Sequence, residues 1–308
     1  MQHPHGRHSE SGRGPSGPKR KPGGRSHKPR KSAGPGPKDG PKQKTWKAPV
    51  ELPSGLEPIE LGSGFVARAA ALGIELEAKE VRDLGHYLAL LLAANTTMNL
   101  TAVKDRDDAI EKHLLDSLTL LPILAEAEPS GEGEPLTIID IGSGGGLPGL
   151  VLAICRRDAR VTLLDSTEKK CGFLRHAAKE IGLENVTVLH DRAEVAAQDK
   201  SNRRGKFDVV TARAVGRLAS LLEITVPFAR VGGLCVLTKG QKADEELAEA
   251  KGALHLLHAA HAGTVETPTG RVVVIEKLRK TPGAYPREIG EPKRNPLGVE
   301  TSTGTDAE

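Results

Sequence analysis

Residues 136–150, LTIIDIGSGGGLPGL, constrain this chain more than any other stretch. Positions 136–141 form a short apolar run rich in isoleucine, bounded by Pro135 and a series of glycines, and so predict a buried strand. Gly142, Gly144, Gly145 and Gly146 predict a tight turn. The apolar stretch from Leu147 predicts a helix with Pro148 in its first turn. A glycine turn between strand and helix lets a ligand lie against bare backbone, and the helix amino end adds unpaired N–H groups with partial positive charge. Such a unit points to a nucleotide-like cofactor.

After residue 135 strand and helix patterns alternate. Strands are predicted at 136–141, 160–165, 185–190, 206–212, 232–238 and 271–278, with a weaker one at 260–266. Helical patterns fill the gaps, notably 167–182 and 217–229. This alternation requires a mostly parallel sheet with helices on both faces, and five βα repeats with a late strand pair give seven strands. A small helical region precedes it at 60–125: a short helix at 63–73 with Ser63 as N-cap, and a second at 78–94. A third is capped by Asp105, with Ile110, Leu114, Leu118 and Leu121 on its inner face.

Composition and charge divide the chain. Residues 1–45 hold twelve Lys and Arg against Glu10 and Asp39, a charge of +10, and the remainder carries −6. Residues 1–50 have almost no apolar side chains to offset ordering entropy and read as a disordered basic tail. The tail is either a solubilising or targeting appendage or an electrostatic arm for nucleic acid. A basic segment follows the sheet at 281–297, and 298–308 reads as a disordered end. No apolar run spans a membrane and the N-terminus has no secretory core. Cys155, Cys171 and Cys235 show no C-x-x-C spacing, which fits a reduced, cytoplasmic protein without structural zinc.

Two cofactor classes use this architecture. A dinucleotide fingerprint wants G-x-G-x-x-G, but Leu147 stands at its third glycine. Asp140 instead gives D-x-G-x-G-x-G, closer to S-adenosylmethionine (AdoMet) enzymes. Asp165 ends the second strand, where a carboxylate accepts ribose hydroxyls of either cofactor and decides nothing between them. An NAD-dependent oxidoreductase is further disfavoured by the lack of a Y-x-x-x-K pair.

The motifs then align with a family. NLTAV (99–103), KHLLDSL (112–118), DIGSGGGLPG (140–149), LLDS with KK and FL (163–174), RAE (192–194), TARAV (211–215), KG (239–240) and TPGAYPR with GEPKRNPL (281–297) occur in family order and spacing. Through them the chain resembles the small-subunit (16S) ribosomal RNA guanine-N7 methyltransferase G family, glucose-inhibited division protein B. The resemblance spans about residues 60–297. It implies a Rossmann-like class I AdoMet-dependent methyltransferase domain at 135–280, acting on 16S ribosomal RNA or a small-subunit assembly intermediate; the sequence does not fix the oligomeric state, for which a monomer is the expectation. Gly142 and Leu147 would line the methionine and ribose region, Asp165, Ser166 and Thr167 the ribose contact, and Ala193 and Glu194 the adenine. Arg213 would sit beside cofactor and base, and Arg213 and Lys239 are the catalytic candidates. Asn99, His113 and Asp116 fall in motifs near the cleft, with His113 read as a structural histidine oriented by Asp116.

The chemistry expected needs orientation rather than a base, because guanine N7 is an unprotonated acceptor. The sequence lacks the N-P-P-Y-like loop of exocyclic amine methylation after the fourth strand, and its cysteines sit in strand or helix patterns where buried thiols are usual. An AdoMet enzyme with another substrate is the alternative, and the basic segment argues against it. For RNA, the clusters Arg203, Arg204, Lys206 and Lys277, Arg279, Lys280, Arg287, Lys293, Arg294 supply charge. Phe65, Tyr87 and Tyr285 are the candidate stacking platforms.

Overall fold

The sequence of βα repeats sets the topology found in the computed structural model, which describes residues 52–213 and 216–299. All of them fall in one compact unit, Pro49–Glu308. The tail at 1–50, residues 300–308 of the end segment, and Ala214 and Val215 of the TARAV motif lie outside the described residues.

The strands are β1 (Thr137–Ile141), β2 (Arg160–Asp165), β3 (Val186–His190), β4 (Phe207–Arg213), β5 (Ala229–Lys239), β6 (Ala259–Thr267) and β7 (Gly270–Lys277). They form one seven-stranded sheet in the order β3-β2-β1-β4-β5-β7-β6. The pairs among β1 to β5 are parallel, while β7 runs antiparallel to both β5 and β6. The sheet is a Rossmann-like class I arrangement. Its strand order reverses between β1 and β4, and ligands of such sheets sit at that switch point, beyond the carboxyl ends of the strands. Apolar cores cover both faces: Ile138, Leu163 and Val209 face one, Ile139, Leu164 and Val210 the other.

The helical region before the sheet comprises α1 (Gly62–Ala71), α2 (Ala78–Met98), α3 (Arg106–Ala109), a π-helical turn (Ile110–Leu115), α4 (Asp116–Leu118) and α5 (Leu121–Ala125). Ser63 lies inside α1 rather than capping it, since the helix begins after Leu61 without a side-chain cap. Helix α2 opens with a reciprocal Glu77–Glu80 capping box and runs four residues past its predicted end, to the left-handed Asn99. Asp105 does cap α3, accepting from the Asp108 N–H. The π turn interrupts the α period that the spacing of Ile110, Leu114 and Leu118 suggested, yet all three are buried.

The remaining helices are α6 (Gly149–Cys155), α7 (Glu168–Ile181), α8 (Ala193–Ala196), α9 (Leu218–Thr225), α10 (Ala243–Glu249), α11 (Lys251–Leu257) and α12 (Glu291–Arg294). Pro148 stands just before α6 as its N-cap, not within its first turn. Helix α9 stops at Thr225, four residues early, because Pro227 removes a donor and restricts the residue before it. The freed chain starts β5 at Ala229, which pairs with Phe207.

Candidate active site

The glycine turn is tied to the neighbouring strand through its backbone. The N–H groups of Gly142 and Ser143 both donate to the Leu164 carbonyl, at 2.8 and 3.1 Å. Gly142 and Gly144 have φ of 73° and 58°, the left-handed region that side chains with a Cβ enter at a cost. Asp165, at the end of β2, is buried and fixes the turn from the other side: Oδ2 accepts from the Gly144 N–H at 2.9 Å and Oδ1 from the Thr167 N–H at 2.8 Å. Each oxygen retains a second acceptor position. The buried Tyr87 hydroxyl donates to the Gly145 carbonyl at 2.8 Å.

Close packing of helix on sheet, which the dinucleotide pattern would place at position 147, occurs at Gly149. A Cβ there would lie 2.3 Å from Leu163 Cδ2 and 2.8 Å from Asp140 Oδ2. Asp140 itself is fully buried and accepts from Thr211 Oγ1 and the Gly149 N–H. Burial pushes its carboxyl up to about 6, against those hydrogen bonds.

A cavity of about 730 Å³ opens at the switch point, within the size range of small-molecule sites. Gly142, Asp165, Ser166, Thr167, Ala193, Glu194 and Arg213 all line it. Two predicted site residues do not. Leu147 packs against the core instead. Lys239 is buried behind the loop that follows β4: its Nζ donates to the Gly216 carbonyl at 2.6 Å and pairs with Glu246 at 2.8 Å. Glu246 also accepts from the Leu218 N–H, so the pair ties Gly216 and the start of α9 to β5 and α10. The sequence reading missed the wall supplied by Ser220, Leu221 and Ile224 of α9, and by Gly290 and Pro292. The α9 positions lie in no motif, while Gly290 and Pro292 belong to the GEPKRNPL stretch that the sequence reading assigned to RNA, and only the fold brings either group to the cavity.

Arg213, the last residue of β4, reaches the helical region. Its Nη1 lies 3.2 Å from Asp116 Oδ2, and its Nη2 donates to the Lys112 carbonyl in the π turn. Asp116 therefore pairs with Arg213 rather than with His113, and burial pushes its carboxyl upward against that cation. His113 Nε2 meets Thr101 Oγ1 at 2.7 Å while Nδ1 faces Arg213 Nη2 at 3.4 Å. A cation opposite Nδ1 favours the tautomer with its proton on Nε2. Burial, reinforced by Arg213, pulls the imidazole down to about 4. Asn99 is an exposed helix cap outside the cavity lining.

Much of the basic and aromatic inventory is turned inward. Lys277 is buried and donates to the Ala229 carbonyl at 2.6 Å. Arg287 pairs with the buried Glu223, and Arg203 with Asp191. Arg204 donates to the carbonyls of Ala197, Thr281, Pro282 and Tyr285. Lys206, Arg279, Lys280, Lys293 and Arg294 remain exposed. Phe65 and Tyr87 are core residues, so only Tyr285 is left as a partly accessible ring. Cys171 and Cys235 are buried and Cys155 partly so, with burial pushing all three thiols up.

The donor and acceptor set fits AdoMet: a glycine-rich turn, a rigid carboxylate with spare acceptor positions for ribose, and partly apolar walls beside Ala193 and Glu194. The sequence profile of a family described as rRNA small subunit methyltransferase G (GidB) matches residues 80–273. The chain is 49% identical over 240 residues to the ribosomal RNA small subunit methyltransferase G of Sorangium cellulosum (strain So ce56), covering 78% of this chain and 97% of that one. It is 41% identical over 230 residues to the protein of the same name from Streptococcus pyogenes serotype M4 (strain MGAS10750), covering 73% and 94%. Among solved structures it is similar to a SAM dependent methyltransferase from Aquifex aeolicus, at 17% identity and a TM-score of 0.44 over 58% of this chain and 97% of that one.

Proposed function

We propose that this chain, which belongs to the rRNA small subunit methyltransferase G family, transfers a methyl group from AdoMet to N7 of a guanine in 16S ribosomal RNA. The observation that carries the reading is the gathering of Asp165, Glu194 and Arg213 around one cavity at the switch point of the sheet. AdoMet, when bound, supplies an electrophilic methyl group on a sulfonium.

In this reading the chain's own residues bind and orient. Asp165, held rigid by two backbone N–H groups, offers its remaining lone pairs to the ribose hydroxyls. Ala193 and Glu194 flank the adenine. Arg213 holds O6 or a phosphate of the RNA, its guanidinium aimed by Asp116 and the Lys112 carbonyl. Guanine N7 already carries a free lone pair, so the step calls for alignment and no proton acceptor. His113 fits that scheme, since a buried imidazole bonded to Thr101 and facing Arg213 is placed to support and not to abstract. Lys239, away from the cavity wall, acts on the loop after β4 as a positioning residue.

The substrate is RNA of the small subunit, met as an assembly intermediate or as free RNA, by a cytoplasmic monomer. Among the described residues no helix is long and apolar enough to cross a membrane. The test is transfer of labelled methyl from AdoMet to 16S RNA, free and in particles, with the modified base located by cleavage at 7-methylguanine. Incorporation at N7 in wild type and its loss in Asp165→Ala support the reading. Label at another atom, or none in either substrate, overturns it.

A further inference from the structure

Residues 281–297 have the composition of an RNA-facing basic segment, but one of their three cations, Arg287, is turned inward and anchors the segment beside the cofactor cavity. Three carbonyls at its start, those of Thr281, Pro282 and Tyr285, accept from the single Arg204 guanidinium at 2.8 to 3.1 Å, and the same guanidinium donates to the Ala197 carbonyl just after α8. Gln198 Nε2 donates to the Pro286 carbonyl at 2.9 Å. Glu223 on α9 has no exposed surface, and Arg287 meets it with three groups: its backbone N–H at 2.8 Å, Nε at 2.9 Å and Nη2 at 2.6 Å. Past this anchor, the Gly290 N–H donates to Glu194 Oε1 at 2.9 Å, and Gly290, Pro292 and Lys293 line the cavity.

A fully buried carboxylate is costly unless paired with good geometry, and removing its partner leaves an uncompensated charge. Three donors from one residue, one of them main chain, fix both the backbone and the direction of the guanidinium at Arg287. Position 287 lies only three residues before Gly290. The place of the cavity wall is thus set from α9 through Glu223, and reported to the cavity through Glu194.

We propose that residues 281–297 form the adenine-side wall of the cofactor cavity, and that the Glu223–Arg287 pair positions that wall and so sets cofactor affinity. The proposal rests on the AdoMet reading above. Its test is calorimetry of the full chain with S-adenosylhomocysteine, alongside methyl-transfer kinetics. Glu223→Gln should weaken binding about tenfold and raise KM for AdoMet by the same factor, with kcat at saturation changed less than twofold and KM for RNA unmoved. Arg287→Lys, which keeps the charge but loses the fork, should weaken binding by an intermediate factor. Gln198→Ala, an exposed site whose loss leaves the buried pair intact, should weaken it about threefold and keeps the question open to measurement if Glu223→Gln does not fold. Unchanged S-adenosylhomocysteine affinity in the folded variants, or a rise confined to KM for RNA, overturns the proposal while leaving the methyl-transfer reading intact. A wild-type chain that does not bind S-adenosylhomocysteine removes that reading and this proposal together.

Discussion

On its β1–β2 side the cavity is held in shape by main-chain hydrogen bonds: a turn with left-handed Gly142 and Gly144, two N–H groups on one strand carbonyl, and a carboxylate gripping two more. On the opposite side it is made of buried charge, with Arg287 on Glu223 and Glu194 on Gly290, across separations of 64 and 96 residues. A third contact of the second kind aims Arg213 at Asp116. The first side tolerates no Cβ in the wrong place; the second tolerates no unpaired ion. Each fails differently when altered.

The largest effect should come from Asp165→Ala, which strips acceptors from two backbone N–H groups and from the ribose. A loss of about 3 kcal/mol, roughly a hundredfold in S-adenosylhomocysteine affinity by calorimetry, is expected. Affinity within threefold of wild type would break the view that this side grips the cofactor. Next, Arg213→Ala should cost about 2 kcal/mol in the barrier, roughly thirtyfold in methyl incorporation. It also strands Asp116, so Arg213→Ala/Asp116→Ala should recover thermal stability without recovering turnover. Recovery of both would reduce Arg213 to a structural ion.

Gly149→Ala probes the main-chain side through packing. Its new methyl would meet Leu163 and Asp140, and about 1–2 kcal/mol of stability should be lost in denaturant unfolding. An unchanged midpoint would mean that α6 can lift away from the sheet at no cost. The smallest effect at neutral pH lies in His113. Its ordinary value of 6.5 falls to about 4 in the fold, so the unfolded chain takes up its proton first. The stability it contributes is complete above about 6.5 and declines as pH drops toward 4. His113→Gln should flatten that part of the profile. Asp140, raised to about 6, acts in the opposite sense in both chains and cancels from the difference.

The same division explains what could be read in advance. The glycine turn, Asp165 and the start of α8 at 192–194 follow strand ends, so local pattern plus topology was enough to bring them together. Gly149 was also visible as a glycine, but its close approach belongs to Leu163 on another strand and cannot be seen in spacing. Arg204, Lys277 and Arg287 looked like solvent-facing charge because composition does not show where a carbonyl or a buried Glu223 will be. Lys239 fell in a matching motif, yet its partners come from elsewhere, Gly216 from the stretch after β4 and Glu246 from α10. Leu147 was assigned to the cofactor by the family resemblance, and its side chain packs against the core.

The chain contains only two tyrosines. Tyr87 is bonded to the glycine turn, and Tyr285 lies in the segment at 281–297, where its carbonyl accepts from Arg204. Replacing both with fluorotyrosine would therefore yield a spectrum of two fluorine resonances, each a separate witness to one bank of the cleft. The scarcity of aromatic rings, a handicap for stacking on bases, makes this protein a ready-made two-channel reporter of its own loading.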